Sequence, residues 1–499
     1  MKWFAVCLLA IHPTFETSDP PRPQTRIDEL VFAHWKQLGI PPANLSSDAV
    51  FLRRAYLDVI GTLPTAQEAA DFLASQDPNK RTALIDRLLA REEFADYWAL
   101  KWSDLLRVKA EFPINLWPNA AQAYYHWIRA AVRENRPYDR FARELLTASG
   151  SNFRDPPANF YRAMQNHTPE GIAQTVALTF MGARAEKWPA AQLAEMSAFF
   201  SRVGFKETGE WKEQIVYFDP SAKGALPVVR YPDSIPARVA GGEDPREAFA
   251  AWLTGPANPW FARAIANRVW YWLMGRGIVN EPDDLRADNP PENPELLAWL
   301  EREVRDSHYD LKHLFRLILT SSVYQLSAIP QAGCDAAAQH FAAYPLRRLD
   351  AEVLIDALDQ ITGTGETYSS SIPEPYTFMP DDQRSIGLPD GSISSSFLEL
   401  FGRPARDTGT EAERNNRISD AQKLHLLNSS HVQRKIQQGP KLQAMLRDVK
   451  PRRELVNQLY LTILSRYPTD DEWKVASEHP QPADLAWALI NSTEFLYRH

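Results

Sequence analysis

Five segments of this chain place a capping side chain just ahead of apolar residues spaced three and four apart, and that punctuation commits most of the sequence to half-buried helices. Ser46-Ser47-Asp48 precedes Val50, Phe51, Leu52, Tyr56, Leu57, Val59 and Ile60, and Gly61 closes the run. Thr65 and Glu68 have the spacing of a capping box, in which each side chain accepts from the other residue's backbone N–H, ahead of Phe72 and Leu73. Asn293-Pro294, Asp310 and Asp350 head three further runs, the last stopped by Gly363. The expected fold class is therefore mainly α.

Two stretches break the helical pattern. Residues 205–245 contain Ile215-Val216-Tyr217-Phe218 and Pro227-Val228-Val229-Arg230, short β-type runs around Asp219-Pro220 and Gly224. Residues 363–420 are rich in Ser, Gly, Pro and Asp and read as a long irregular surface loop packed back on the C-terminal half. At 499 residues the chain exceeds what one hydrophobic core normally serves. The expected division is a signal segment over 1–23, an N-terminal helical domain over 24–204, a small β-containing insert over 205–245 and a C-terminal helical domain over 246–499.

The two helical parts echo one another. Tyr56-Leu57-Asp58-Val59-Ile60 with Pro64-Thr65 and Glu68 recurs as Tyr460-Leu461-Thr462-Ile463-Leu464 with Pro468-Thr469 and Glu472, and each copy is followed by an apolar helix ending in Glu-Phe, at Glu93-Phe94 and Glu494-Phe495. Trp127-Ile128 before Tyr138-Asp139 likewise parallels Trp299-Leu300 before Tyr309-Asp310. The matches keep their order, which points to an internal duplication with the two ends of the chain packed near each other.

Composition removes several function classes. A net charge of −8 with no basic block argues against nucleic acid as partner. No phosphate loop, dinucleotide fingerprint, Gly-x-Ser-x-Gly or His-Glu-x-x-His occurs. The two cysteines, Cys7 and Cys334, cannot build a disulfide framework or a four-cysteine metal site. Met1-Lys2 followed by the apolar run Trp3 to Ile11 resembles a short signal peptide, so the protein is expected to be exported, with a cytoplasmic location as the alternative. That run is too short to span a bilayer, and no transmembrane segment is expected elsewhere.

Leu52-Arg53-Arg54-Ala55-Tyr56-Leu57-Asp58-Val59-Ile60-Gly61-Thr62-Leu63-Pro64-Thr65 resembles the signature of the planctomycete-type PSCyt-two domain of unknown function. Trp252-Leu253-Thr254, Asn258-Pro259, Asn267-Arg268-Val269-Trp270, Gly275-Arg276-Gly277, Pro282-Asp283-Asp284, Arg347-Arg348-Leu349 and Leu426-Leu427-Asn428-Ser429 resemble its usual companion, the PSD-one domain. The resemblance implies export and a sulfatase-like partner protein, and brings no established reaction. Relatives commonly carry Cys-x-x-Cys-His after Phe-Leu-Gly-Val-Arg. Here Phe180-Met181-Gly182-Ala183-Arg184 runs straight into Ala185-Glu186-Lys187-Trp188, with Ala198-Phe199-Phe200 beyond. Covalent haem needs two thiols and an imidazole at that place, so the chemistry excludes it. Neither a cofactor nor a metal is expected.

The chemistry candidates are charged residues of the second half. Asp283 and Asp284, with Glu352 and Glu413, could act as carboxylates on a metal or in acid–base work, or could equally cap loops and pair with Arg276 or Arg286. Arg268, Trp270 and Arg276 suit the grip of a sugar or anion, and equally suit helix packing. Arg348, Glu352 and Asp356 read as a salt-bridge ladder on one helix. Arg403, Arg414 and the carboxylates beside them crowd charge into one loop, as a buried ion-pair network or a ligand site. The leading reading is an exported, non-catalytic binding or scaffold protein that engages a glycan or a partner protein. The alternative is a metal-assisted or carboxylate-based hydrolase of an extracellular polymer.

Overall fold

The computed structural model describes residues 14–221, 229–240, 242–334, 336–448, 451–479 and 481–499. The apolar run Trp3 to Ile11 lies outside them, as do Pro227 and Val228 of the second β-type run. Helix accounts for 53% of the chain and strand for 5%, so the fold is mainly α.

The punctuation read from the sequence forms as helix ends. Ser47 caps the Asp48–Val59 helix, and Thr65 with Glu68 closes a capping box on the Ala66–Ala74 helix. Thr469 and Glu472 make the same box on the Asp470–Glu478 helix. Asn293 and Asp310 cap the Pro294–Asp306 and Leu311–Leu319 helices. The β-type run at 215–218 is the central strand Gln214–Phe218 of a three-stranded antiparallel sheet, flanked by Val203–Glu207 and by Gly150–Ser151 of the first half. Arg347–Arg348 pairs with Tyr497–Arg498 in a second, two-stranded sheet.

Buried arginines join the two helical halves. Arg53 donates to the carbonyls of Ile463 and Phe495 at 2.8 and 2.9 Å, and Arg54 donates to those of His499, Tyr324 and Leu326. A guanidinium out of water needs its N–H groups satisfied, and the backbone carbonyls of Ile463, Phe495, Tyr324 and Leu326 do that without adding negative charge. Around these contacts the apolar core runs unbroken from Ile27 to Leu496.

Two expectations change. The surface path expected for residues 363–420 holds over 363–384, where no residue is buried, and fails beyond it: Ser385, Ile386, Leu388, Phe397 and Arg406 are buried. The segment also bonds to the first half, where Ala110 N–H donates to Asp390 at 2.9 Å and Arg107 to the Thr408 carbonyl. Nor is there a ladder of Arg348, Glu352 and Asp356, because the helix begins only at Ala351 and Arg348 belongs to a strand. Arg348 donates to the carbonyls of Phe401 and Asn415, while Asp356 accepts from the N–H groups of Ser385 and Ile386.

Candidate functional site

Where the halves meet, a cleft of about 820 Å³ opens. Tyr97, Trp98 and Lys101 reach it from the Glu92–Leu105 helix, and Tyr271 and Trp272 from the Phe261–Met274 helix. The paired strands contribute Arg347, Arg348 and Arg498, and the loop at 411–418 contributes Glu411, Arg414 and Arg417. Six cationic side chains, those five arginines and Lys101, face three carboxyl groups, Glu281, Asp350 and Glu411.

Asp350 forms the floor. It occupies the N-cap position of the Ala351–Thr362 helix, yet its side chain makes no capping bond. Its Oδ2 accepts instead from Lys101 Nζ at 2.8 Å, Tyr97 Oη at 2.9 Å and Arg498 Nη2 at 3.1 Å, and its Oδ1 from Asn416 Nδ2 at 2.6 Å. Cations and buried donors offer more than a backbone N–H at the helix end can. Burial alone would raise this carboxyl. Lys101, Arg498 and Arg414 outweigh it and hold Asp350 well below the carboxylate range. Burial, with Arg414 adding to it, pushes Lys101 down.

The same loop builds two carboxylate groups behind the walls. In one, Arg414 bridges Glu352 at 2.7 Å and Asp104 at 2.6 Å, while Arg406 takes Asp104 at 2.9 Å and Arg403 approaches Glu352 at 3.6 Å. Burial acts to raise Glu352, but Arg414 overrides it and the carboxyl is held low. In the other, Arg268 holds Asp283 at 2.7 Å and lies 3.6 Å from Glu411, which also accepts from the Trp272 indole at 2.7 Å. Asp283 in turn accepts the Glu411 backbone N–H at 2.8 Å. Here two carboxyls share one guanidinium. Burial, and then the negative charge of Asp283, push Glu411 up to about 7 against the pull of Arg268.

Of the residues singled out by sequence, Arg348 and Arg414 line the cleft. Asp283, Arg268, Glu352 and Arg403 sit behind its walls in the two groups just described. Trp270 is wholly buried, edge-on to Phe341. Asp284 pairs with Arg286 at 3.2 Å, and Arg276 is half-buried outside the lining. Glu413 ties its own loop by accepting from the N–H groups of Asp407 and Thr408. Lys101, Asp350, Arg498 and Glu411 were not among the candidates. Glu411 stood within the charged loop that drew attention, but the other three carried no local signal. Beyond the left-handed Gly182 that ends the Pro169–Met181 helix, Ala185–Lys187 forms a 3-10 turn.

No helix among the described residues is long and apolar enough to cross a membrane. No curated protein and no solved structure matches the chain. Two family models do match it. Residues 26–203 match PSCyt2, described as a protein of unknown function (DUF1549), and residues 245–479 match PSD1, described as a protein of unknown function (DUF1553). The signature at 52–65 lies in the first match, and Trp252 through Ser429 lie in the second. The chain therefore belongs to these two families of unknown function at once, with a PSCyt2 unit followed by a PSD1 unit.

Proposed function

We propose that the protein is an exported, non-catalytic binding protein whose cleft holds an anionic ligand, with acidic glycans as the ligand class. The observation that carries this reading is the charge of the lining, six cations against three carboxyl groups in a space of about 820 Å³. Such a concavity attracts negative charge and recognises it through forked guanidinium donors. Arg417 is the exposed member of the set and makes no ion pair among the described residues. Its donors are available to a ligand. A sulfatase-like partner protein, which the family resemblance implies, would meet the same anionic material outside the cell.

The test is a thermal-shift series with one oligosaccharide in sulfated and neutral forms. The sulfated form should raise the Tm by binding only the native state, and Arg417→Ala should diminish that rise. Equal shifts with both forms, or none with either, would remove the anion reading.

One observation favours a second reading, carboxylate-based hydrolysis. Glu411 lines the cleft and holds its proton up to about pH 7, as a general acid must. Under this reading the protein cleaves an extracellular polymer, and Glu411→Gln abolishes product release without loss of binding.

A further inference from the structure

His34, Glu292 and His340 come from three separate segments and converge on one point. Each offers a ligand atom, and these atoms lie within 4.8 Å of one another. His34 belongs to the Arg26–Leu38 helix of the first half, Glu292 to the turn before the Pro294–Asp306 helix, and His340 to the 3-10 turn Ala337–His340. Glu292 Oε1 stands 3.3 Å from His34 Nε2 and 2.5 Å from His340 Nδ1.

We infer that this trio is a site for a divalent first-row cation of the zinc class. Two imidazoles and a carboxylate are the donor set such ions take, and three protein ligands leave a position for water. Bonds of about 2.0–2.1 Å to a tetrahedral ion place ligand atoms roughly 3.3 Å apart, which the His34 pair already meets. The His340 pair is shorter, at 2.5 Å, and opens by a small turn of the Glu292 carboxyl. The neighbours of the ligands are fixed to one another. The Trp35 indole, next to His34, donates to the His340 carbonyl at 2.7 Å. Asn293, next to Glu292, donates to the Leu30 carbonyl on the His34 helix at 3.3 Å, and Glu292 N–H donates to Ile278 at 2.7 Å. A backbone held this way presents the ligands before the ion arrives. The three side chains are 20–25% exposed, so an ion can enter from solvent. Bound there, it clamps the first helix onto the second half.

The full-length protein, stripped with chelator and dialysed, is titrated with zinc by calorimetry, and bound zinc is counted by elemental analysis. The expected result is about one equivalent per chain and a raised Tm, with His34→Gln and His340→Gln each weakening uptake at least about tenfold. Glutamine can still hydrogen-bond to Glu292 but is a poor zinc ligand, so the ion-free Tm of both variants should stay near that of the parent. Uptake must also fall on acidification, because protons compete with zinc for the imidazole nitrogens. Wild-type protein that binds no zinc, or variants that bind it as tightly as the parent, would overturn the assignment.

Discussion

The two carboxylate groups behind the cleft are built from one loop and face opposite electrostatic outcomes. Around Arg414, three guanidinium groups serve Glu352 and Asp104, and Glu352 is held low. Around Arg268, one guanidinium serves Asp283 and Glu411, and Glu411 keeps its proton to about pH 7. Burial is the largest influence on both glutamates and pushes both upward. The balance of neighbouring charge decides which one yields. A buried carboxylate is therefore structural or reactive according to the ratio of cations to anions about it.

The largest expected effect breaks the cation-rich side. Arg414→Met strands Glu352 and Asp104 with weaker partners, and should cost about 3–5 kcal/mol in urea unfolding, as removing one member of a buried ion group does. The carboxylate-rich side should show itself in pH dependence. With a folded pKa above its unfolded value of 4.5, Glu411 lends stability that is complete below pH 4.5 and lost as the pH rises through about 7. Glu411→Gln should remove that decline, worth up to about 3 kcal/mol across the window. Glu352 and Asp350 act in the reverse sense: their stability is present above the ordinary carboxylate range and lost on acidification, so the variant keeps its acid transition. A more local test is Asp283→Asn, which removes the anion beside Glu411. An NMR titration of the Glu411 side chain should then move down toward the usual glutamate range, and no movement would mean that burial alone sets it. The smallest effect is at Arg417→Ala, which should leave stability within about 0.5 kcal/mol while weakening any anionic ligand.

Much of the fold is legible in sequence because helix ends are local events. Thr65 with Glu68 and Asn293 need only partners three residues away, and both form as read; Thr469 with Glu472, read as a repeat of the first pair, makes the same box. Asp350 shows the limit of that reasoning. Its position explained it fully as a cap, so nothing signalled that Lys101 and Arg498, far along the chain on either side, would claim its carboxylate. The charged loop could be read as a buried ion-pair network or as a ligand site, and its residues divide in placement: Arg403 and Arg406 lie inside, while Glu411 and Arg417 line the cleft. The Ser, Gly, Pro and Asp of 363–420 suggested a surface path. Its buried arginines belong to that path's interior, since Arg406 packs fully buried against Asp104 of the first half. The convergence of His34, Glu292 and His340 comes from three separate segments and leaves no spacing to read in the sequence.

Arg498 also constrains how the molecule is made. It closes the charge around Asp58 at 3.3 Å and Asp350 at 3.1 Å, beside Lys101. On a ribosome adding about 5–20 residues per second, Lys101 emerges some 20–80 s before Arg498 does. Arg347 and Arg414 reach Asp58 and Asp350 earlier in that interval, so this buried set is short of one cation, not of all of them, until Arg498 is made.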